Sequence, residues 1–373
     1  MNKNKKILIA TPLYPPQVGG PATRTALLEK KFPELGFPIS IAKFGDVLRF
    51  PKIVRHIFYF FLVLFKGIRA DIILAQDPVS VGLPSLFAAK ILRKKFVLII
   101  VGDYAWEQGS QRSGVTDLLD AFSTEYDKYP LLVRILKKTQ FFVAYHADKI
   151  IVPSFYLKKI IINWGIGKDK INVVYNSFDA PSLPGEKESI RKKLGLTGHM
   201  LVSAGRLVPW KGFAKLITFV MPKLISKYPD TRLYIVGEGP DKSYLETLIN
   251  QNKMDKNIVL IGRKPQGELF EYIRAADAFV LNTSYEGMSH QLLEVMALET
   301  PIVTTDAGGN KEIIVDGVNG MLTRYDEGDK ITDAILRVFE DKNWTQQLVL
   351  NGKQKIKDFS EERMLSELAK ELG

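Results

Sequence analysis

The sequence has no cysteine in 373 residues. That excludes a disulfide framework, a thiolate-ligated metal and a cysteine nucleophile. It has only four histidines, His56, His146, His199 and His290, and no two stand at metal-ligand spacing. The dinucleotide-binding G-x-G-x-x-G run is missing. Long hydrophobic runs are missing too. The longest, residues 57–65 (IFYFFLVLF), has nine apolar residues, too few to cross about 30 Å of hydrocarbon as a helix. The basic start MNKNKK is followed by an apolar stretch that meets prolines at once, which does not read as a secretory signal. A cytoplasmic protein is expected.

What is present is an ordinary globular composition, 46% hydrophobic and 25% charged, which excludes disorder for most of the chain. At about 150 residues per domain the length suggests two or three domains. The net charge is +11 and is unevenly placed. Residues 1–180 hold 26 basic and 14 acidic side chains, whereas residues 181–373 hold 26 and 27. The excess therefore lies in the N-terminal half and suggests an anionic partner there: nucleic acid, a membrane surface or a phosphorylated substrate. The run 57–65 is flanked by Arg55, His56, Lys66 and Arg69. It reads as a buried helix or as an interfacial helix on an anionic membrane.

Short apolar runs alternate with helical patterns along the chain. In the first half, strands are expected at 6–10, 39–42, 71–75, 96–101, 149–152 and 171–174, with helices at 23–32, 54–66, 83–92 and 154–164. Continuous apolar strands fit a parallel sheet covered on both faces. Residues 107–129 are polar and irregular, and read as a mobile loop or a surface excursion. Residues 176–198 carry prolines, glycines and charges, a boundary signature. Alternation then restarts, with strands at 200–204, 232–236, 258–261, 278–281 and 301–304. Helices follow at 213–227, 243–251, 268–275 and 291–298, and a last one at 361–372. The expectation is two doubly wound α/β domains facing each other across a cleft. They are a domain at 1–180, a linker at 181–198, a domain at 199–355 and a terminal segment 356–373 that packs back on the first domain.

Four stretches carry candidate chemistry. In SYEGMSHQLLEV a strand ends, Gly287 turns the chain and a helix begins near Ser289. The first turn of a helix has unpaired amides and a positive dipole end, suited to a phosphate. Glu286 and Glu294 are separated by seven residues. Glu294 suits a ribose diol, because an ionised carboxylate only accepts hydrogen bonds. Taken alone, Glu294 reads as a solvated surface acid, since glutamates on helices are commonly exposed. AGRLVPWKG places Gly205, Arg206 and Lys211 after a strand, and two cations there suit a diphosphate. VGEGP, with Gly237, permits close approach of a ligand or forms a plain turn. Gly19 and Gly20 precede the first helix, and Asp103 in VGDYAWE follows the fourth strand, where it is a catalytic group or a turn cap.

Together these stretches resemble the retaining glycosyltransferases of family 4, which have the two-domain GT-B fold. The matching residues are Gly19 and Gly20, AGRLVPWKG, VGEGP, and the E-x7-E pair Glu286 and Glu294. VYNSFD and DAGGNKEIIVDGVNGML also match. The resemblance implies transfer of a sugar from a nucleotide diphosphate sugar to a hydroxyl of a glycan or lipid-linked acceptor, with retained configuration. It implies no metal and no cofactor, and no Asp-x-Asp motif is present. Arg206 and Lys211 would hold the diphosphate, Glu294 the ribose, and Glu286 would face the sugar. Gly287, Met288 and Ser289 would contact the sugar or distal phosphate, and Gly20 would approach the diphosphate. The family's histidine after the fourth strand is replaced by Gly102 and Asp103. A sugar-nucleotide epimerase or a catalytically silent sugar-nucleotide binder on the same fold are the alternatives. The excess charge of the half expected to bind the acceptor points to an anionic acceptor or a membrane surface rather than nucleic acid, with the protein peripheral to the inner face of the membrane.

Overall fold

The computed structural model describes residues 5–17, 19–178, 183–325 and 327–373, with the side chain of Ile53 left aside. The chain forms two units, Met1–Asn176 with Glu361–Gly373, and Ser177–Ser360.

Unit 1 holds strands β1 (Ile7–Thr11), β2 (Ile39–Lys43), β3 (Ile72–Ala75), β4 (Lys95–Ile99), β5 (Lys149–Val152) and β6 (Ile171–Val173). They form one parallel sheet in the order β2-β1-β3-β4-β5-β6. Its helices are α1 (Gly20–Lys31), α2 (Lys52–Gly67), α3 (Gly82–Leu92), α4 (Tyr104–Arg112), α5 (Leu119–Thr124), α6 (Leu131–His146) and α7 (Phe155–Asn163). Strand residues alternate between two cores. Leu8, Ala10, Ile73 and Leu98 pack under α2, α3 and α6 through Tyr59, Val63, Leu86 and Val143. Ile7, Ile9, Ile72 and Val97 pack on the other face with Leu28 of α1.

Unit 2 begins with α8 (Lys187–Lys193) and holds β7 (Met200–Ala204), β8 (Arg232–Val236), β9 (Ile258–Gly262), β10 (Ala278–Leu281), β11 (Ile302–Thr305) and β12 (Met321–Thr323). The sheet is parallel, in the order β12-β11-β10-β7-β8-β9. Counted within the unit from β9, this is the 3-2-1-4-5-6 order of doubly wound nucleotide-binding sheets. Its further helices are α9 (Phe213–Lys215), α10 (Met221–Lys227), α11 (Lys242–Gln251), α12 (Gln266–Ala275), α13 (His290–Ala297), α14 (Asn310–Ile313), α15 (Gly328–Glu340) and α16 (Lys342–Lys355). The expected helix 213–227 is interrupted by a π turn at Leu216–Val220. The last helix, α17 (Glu361–Leu372), places Met364, Leu365, Leu368 and Leu372 in the unit 1 core beside Ile7 and Ile9. Spacing of three and four residues lets them line one buried face.

Three segments differ from the sequence reading. Residues 107–129 are neither a mobile loop nor a plain surface excursion. They contain the end of α4 and all of α5, and Phe122 is wholly buried. The ammonium of Lys137 bonds the carbonyls of Phe122 and Glu125, and it lies 3.8 Å from the Phe122 ring centre. Backbone carbonyls satisfied by one buried cation give a polar sequence a fixed shape. The expected linker 181–198 contains α8, which is tied into unit 2. Asp277 accepts from Lys187 at 2.8 Å, from Arg191 at 3.1 Å and from the Met200 amide at 2.8 Å. The run 57–65 is not a buried helix. Tyr59 and Val63 are buried, but Ile57, Phe58, Phe61 and Phe65 are exposed.

Those contacts hold the Asp277 carboxyl below its ordinary range despite burial, the Lys187 ammonium being the largest favourable cause. The stabilisation is complete above the ordinary carboxylate pKa and is lost as pH falls through the depressed one. Asp277→Ala leaves two cations without their partner. It should lower the stability of unit 2 by about 3 kcal/mol at pH 7, read as a drop in urea midpoint that shrinks in acid.

Candidate functional site

In unit 2 the sheet changes direction between β7 and β10. From β7 the chain moves to β8 and β9, and it returns to the other side for β10. The loops after β7 and β10 therefore stand side by side at the carboxyl ends of the two strands, the place where doubly wound sheets bind their ligands. The loop after β7 is GRLVPWKG, and the loop after β10 is NTSYEGMS. The topology brings both motifs to one edge although they are about 75 residues apart.

Hydrogen bonds fix the loops to each other. The Trp210 carbonyl accepts from the Ser284 amide at 2.8 Å and from the Thr283 hydroxyl at 3.0 Å. The Asn282 side chain donates to the Gly212 carbonyl at 3.1 Å. Gly212 has φ 62°, and a Cβ there would lie 2.0 Å from the Asn282 carbonyl oxygen. At the end of β8, a Cβ on Gly237 would lie 1.8 Å from the Gly205 carbonyl oxygen. The Gly309 amide donates to the Glu286 carbonyl at 2.9 Å, which joins the loop after β11 to the same cluster. Only glycine allows these backbones to approach so closely.

On this framework the Lys211 ammonium forms an ion pair with the Glu286 carboxylate, their side chains 15% and 13% exposed. A pair so far removed from water is a costly arrangement. Arg206 is exposed and has no ion-pair partner among the described residues. Ser289 caps α13, its hydroxyl accepting from the Leu292 amide at 3.4 Å, and no acidic residue occupies the helix's first turn. The positive end of α13 thus opens beside Gly287 and buried Met288. A Cβ built on Gly205 would lie 3.7 Å from the Lys211 side chain and 3.8 Å from Gln291 Oε1. Gly205 therefore leaves space between a cation and an amide.

Glu294 sits in α13 between buried Leu293 and Val295. Burial pushes its carboxyl up to about 7, with a hydrogen bond from the Gln266 side chain of α12 opposing that shift. It is not a solvated surface acid.

Unit 1 has its own change of direction, between β1 and β3. Gly19 and Gly20 stand there, with Gly19 (φ 155°) at the N-cap of α1 and no side chain capping that helix. Of the two readings of Asp103, catalytic group or cap, the structure shows the cap. It is wholly buried and caps α4, accepting from the Trp106 amide at 2.9 Å and the Gln140 amide side chain at 3.0 Å. A carboxylate without exposed atoms, committed to a helix start, holds structure rather than substrate.

Gln266, Asn282, Gln291 and Gly309 were not singled out by sequence reasoning. Gly309 belongs to the quoted run DAGG. The other three carry no local signal, since each is defined by a partner on another element.

The Glu294 carboxyl shifts from 4.5 to about 7 on folding. The cost of burying its charge is absent at low pH, grows across that window and is complete above it. Glu294→Gln should therefore stabilise unit 2 by about 1–2 kcal/mol at pH 8, allowing for partial solvation, and by nothing near pH 4. Thermal unfolding at the two pH values reads the difference.

A family model for glycosyl transferases group 1 matches residues 186–355. A second, for glycosyltransferase family 4, matches residues 18–180. An uncharacterized glycosyltransferase of Methanocaldococcus jannaschii is 30% identical over 240 residues, covering 62% of this chain and 60% of that protein. The aligned part of a second from the same organism, 26% identical, spans 65% of its length. The chain thus matches a little under two thirds of each. The GDP-mannose-dependent monoacylated alpha-(1-6)-phosphatidylinositol monomannoside mannosyltransferase of Corynebacterium glutamicum is 31% identical over 43% of this chain and 44% of its own. Among solved structures, Anabaena HepE in complex with UDP and glucose superimposes with a TM-score of 0.79, covering 99% of both chains at 19% identity. Sucrose-phosphate synthase of Thermosynechococcus elongatus gives 0.79 at 15% identity, over 99% of this chain and 98% of that one. With two sheets in this strand order and the two adjoining family matches, the chain belongs to the family 4 glycosyltransferases of GT-B fold.

Proposed function

We propose that the protein transfers a sugar from a nucleotide diphosphate sugar, a UDP- or GDP-sugar, to a hydroxyl of a glycan or lipid-linked acceptor, with retained configuration and without a metal. The observation that carries this reading is the Lys211–Glu286 pair at the change of direction in the unit 2 sheet. It lies beside Arg206, the start of α13 and Glu294. These are the groups a nucleotide diphosphate sugar calls for: fixed cations, helix amides and a diol acceptor. HepE was solved with UDP and glucose, and the Corynebacterium relative is named for GDP-mannose. Both kinds of donor are therefore natural candidates.

In this reading Arg206, Lys211 and the first amides of α13 bind the diphosphate. They stabilise the negative charge that grows as the bond from the anomeric carbon to the diphosphate breaks. The acceptor oxygen bonds to the anomeric carbon on the face the nucleotide leaves, and its proton passes to the departing diphosphate. No protein nucleophile is required. Glu286 orients the Lys211 ammonium and faces the sugar with Gly287, Met288 and Ser289. Glu294 holds the ribose hydroxyls, and Gly237 leaves room for the nucleoside. The acceptor falls to unit 1, with the protein peripheral to the inner face of a membrane.

Incubation with labelled UDP-, GDP- and ADP-sugars and lipid or glycan acceptors, with EDTA present, tests the proposal. A product with the donor's anomeric configuration is expected. Nucleotide binding without donor consumption would favour a silent binder, and an altered sugar still on its nucleotide would favour an epimerase. Lys211→Ala should weaken donor binding by about 10- to 100-fold, the effect of losing one hydrogen bond to a charged group. Donor affinity measured by calorimetry should fall as pH drops below about 7, where Glu294 gains a proton. The Glu294→Gln variant should lack that dependence.

A further inference from the structure

We propose that the outer face of α2, α3 and α6 in unit 1 is a docking surface for an anionic phospholipid bilayer, entered by α2 lying flat in the interface. The inference gives the membrane setting of the proposed function a location on the molecule. It stands on the surface itself and does not depend on sugar transfer.

The first observation is the pattern on α2. Val54, Ile57, Phe58, Phe61, Phe65 and Ile68, the last just past the helix end, are each between 38% and 68% exposed. They recur at three- and four-residue intervals, so they form one stripe along the helix. The opposite side, Tyr59 and Val63, is in the core. Exposed single hydrophobes are ordinary, but a contiguous stripe of aromatic residues marks an interaction site.

The second observation is its continuity with the neighbouring helices. α3 packs against α2, and a Cβ on Gly67 would lie 2.8 Å from Leu92. On α3, Phe87 and Ile91 are 45% and 63% exposed. The Phe87 ring is 6.3 Å from that of Phe142 on α6. Ile135, on the same helix, is about half exposed. The apolar surface therefore crosses three helices.

The third observation selects the partner. Residues 47–70, 78–102 and 128–147 contain no aspartate or glutamate. Exposed Lys52, Arg69, Lys90, Arg93 and Lys138 stand on or beside these helices. The Lys90 ammonium is 5.9 Å from the Phe142 ring centre, so cation and aromatic surface are adjacent. Long basic side chains around an apolar stripe fit anionic headgroups over acyl chains. A second copy of this chain is disfavoured, since a two-fold contact would bring like charges together. α2 has 16 residues, and no helix among the described residues is long and apolar enough to cross a membrane. In-plane docking is the geometry left to α2.

The test is flotation of the full chain with phosphatidylcholine vesicles containing or lacking 30% phosphatidylglycerol, at low and high salt. Binding is expected at least tenfold stronger on the anionic vesicles, falling with salt. Phe61→Ser with Phe65→Ser should reduce it tenfold, as should Lys90→Glu with Arg93→Glu, while unfolding temperature and nucleotide binding stay unchanged. A Phe61→Trp variant should show a blue-shifted emission with anionic vesicles. Equal binding to both vesicle types, or flotation unchanged in both double variants, would overturn the proposal. A lipid-independent dimer in sedimentation, abolished by the phenylalanine changes, would overturn it in favour of a second copy. Donor consumption with a soluble acceptor is read separately, so failure of docking and failure of the transferase reading are distinct.

Discussion

The parallel sheet of unit 2 brings the loops after β7 and β10 together at one edge, and the site depends on that single constraint. Hydrogen-bonded ladders fix where each strand ends, and the chain's reversal between those two strands places both loops at the carboxyl ends of adjacent strands. The residues of those loops are then set by backbone contacts. The Trp210 carbonyl receives two donors from the β10 loop, and Gly212, Gly237 and Gly309 let the loops touch at distances any Cβ would forbid. A cation and a carboxylate can stay paired in a poorly hydrated place because the framework beneath them cannot relax.

The electrostatics of that edge are those of a binding site rather than of a stable core. Lys211 and Glu286 are held away from water, Arg206 is exposed and unpaired among the described residues, and Glu294 is kept half-buried with a raised pKa. Withdrawing the Lys211–Glu286 pair and the Glu294 carboxyl from water lowers the stability of the protein without ligand. A diphosphate and a diol would relieve each in turn, because they supply the missing anion and donors. Unit 1 is built on the same sheet principle but differs in its outer surface. Its helices carry cations and exposed aromatic residues where those of unit 2 carry mixed charge. Two units of one architecture thus present chemically different surfaces.

The fate of individual residues shows how far local sequence reaches. Strand runs such as KILIA and MLVSA were readable because both faces of a parallel sheet are buried, so the apolar run is unbroken. Helix α17 was readable from its periodicity, but its placement against Ile7 and Ile9 follows from packing. Asp103 illustrates the limit. Its position after a strand suited a catalytic group and a cap equally, and burial beside Gln140 decided for the cap. Residues 107–129 misled because a buried lysine, not hydrophobic periodicity, organises them. The supposed linker misled because α8 is stabilised by Asp277, some ninety residues further on.

Sequence alone determined the two α/β units, the position of strand-end motifs and the residue types needed for a nucleotide diphosphate sugar. These depend on short-range periodicity and on turn chemistry, which are local. Tertiary structure alone decided that Lys211 meets Glu286, that Glu294 is half-buried, and that the apolar run of α2 presents one side to solvent. Those outcomes depend on which distant segment occupies the neighbouring space. Burial and pairing are properties of that neighbourhood, not of the residue itself.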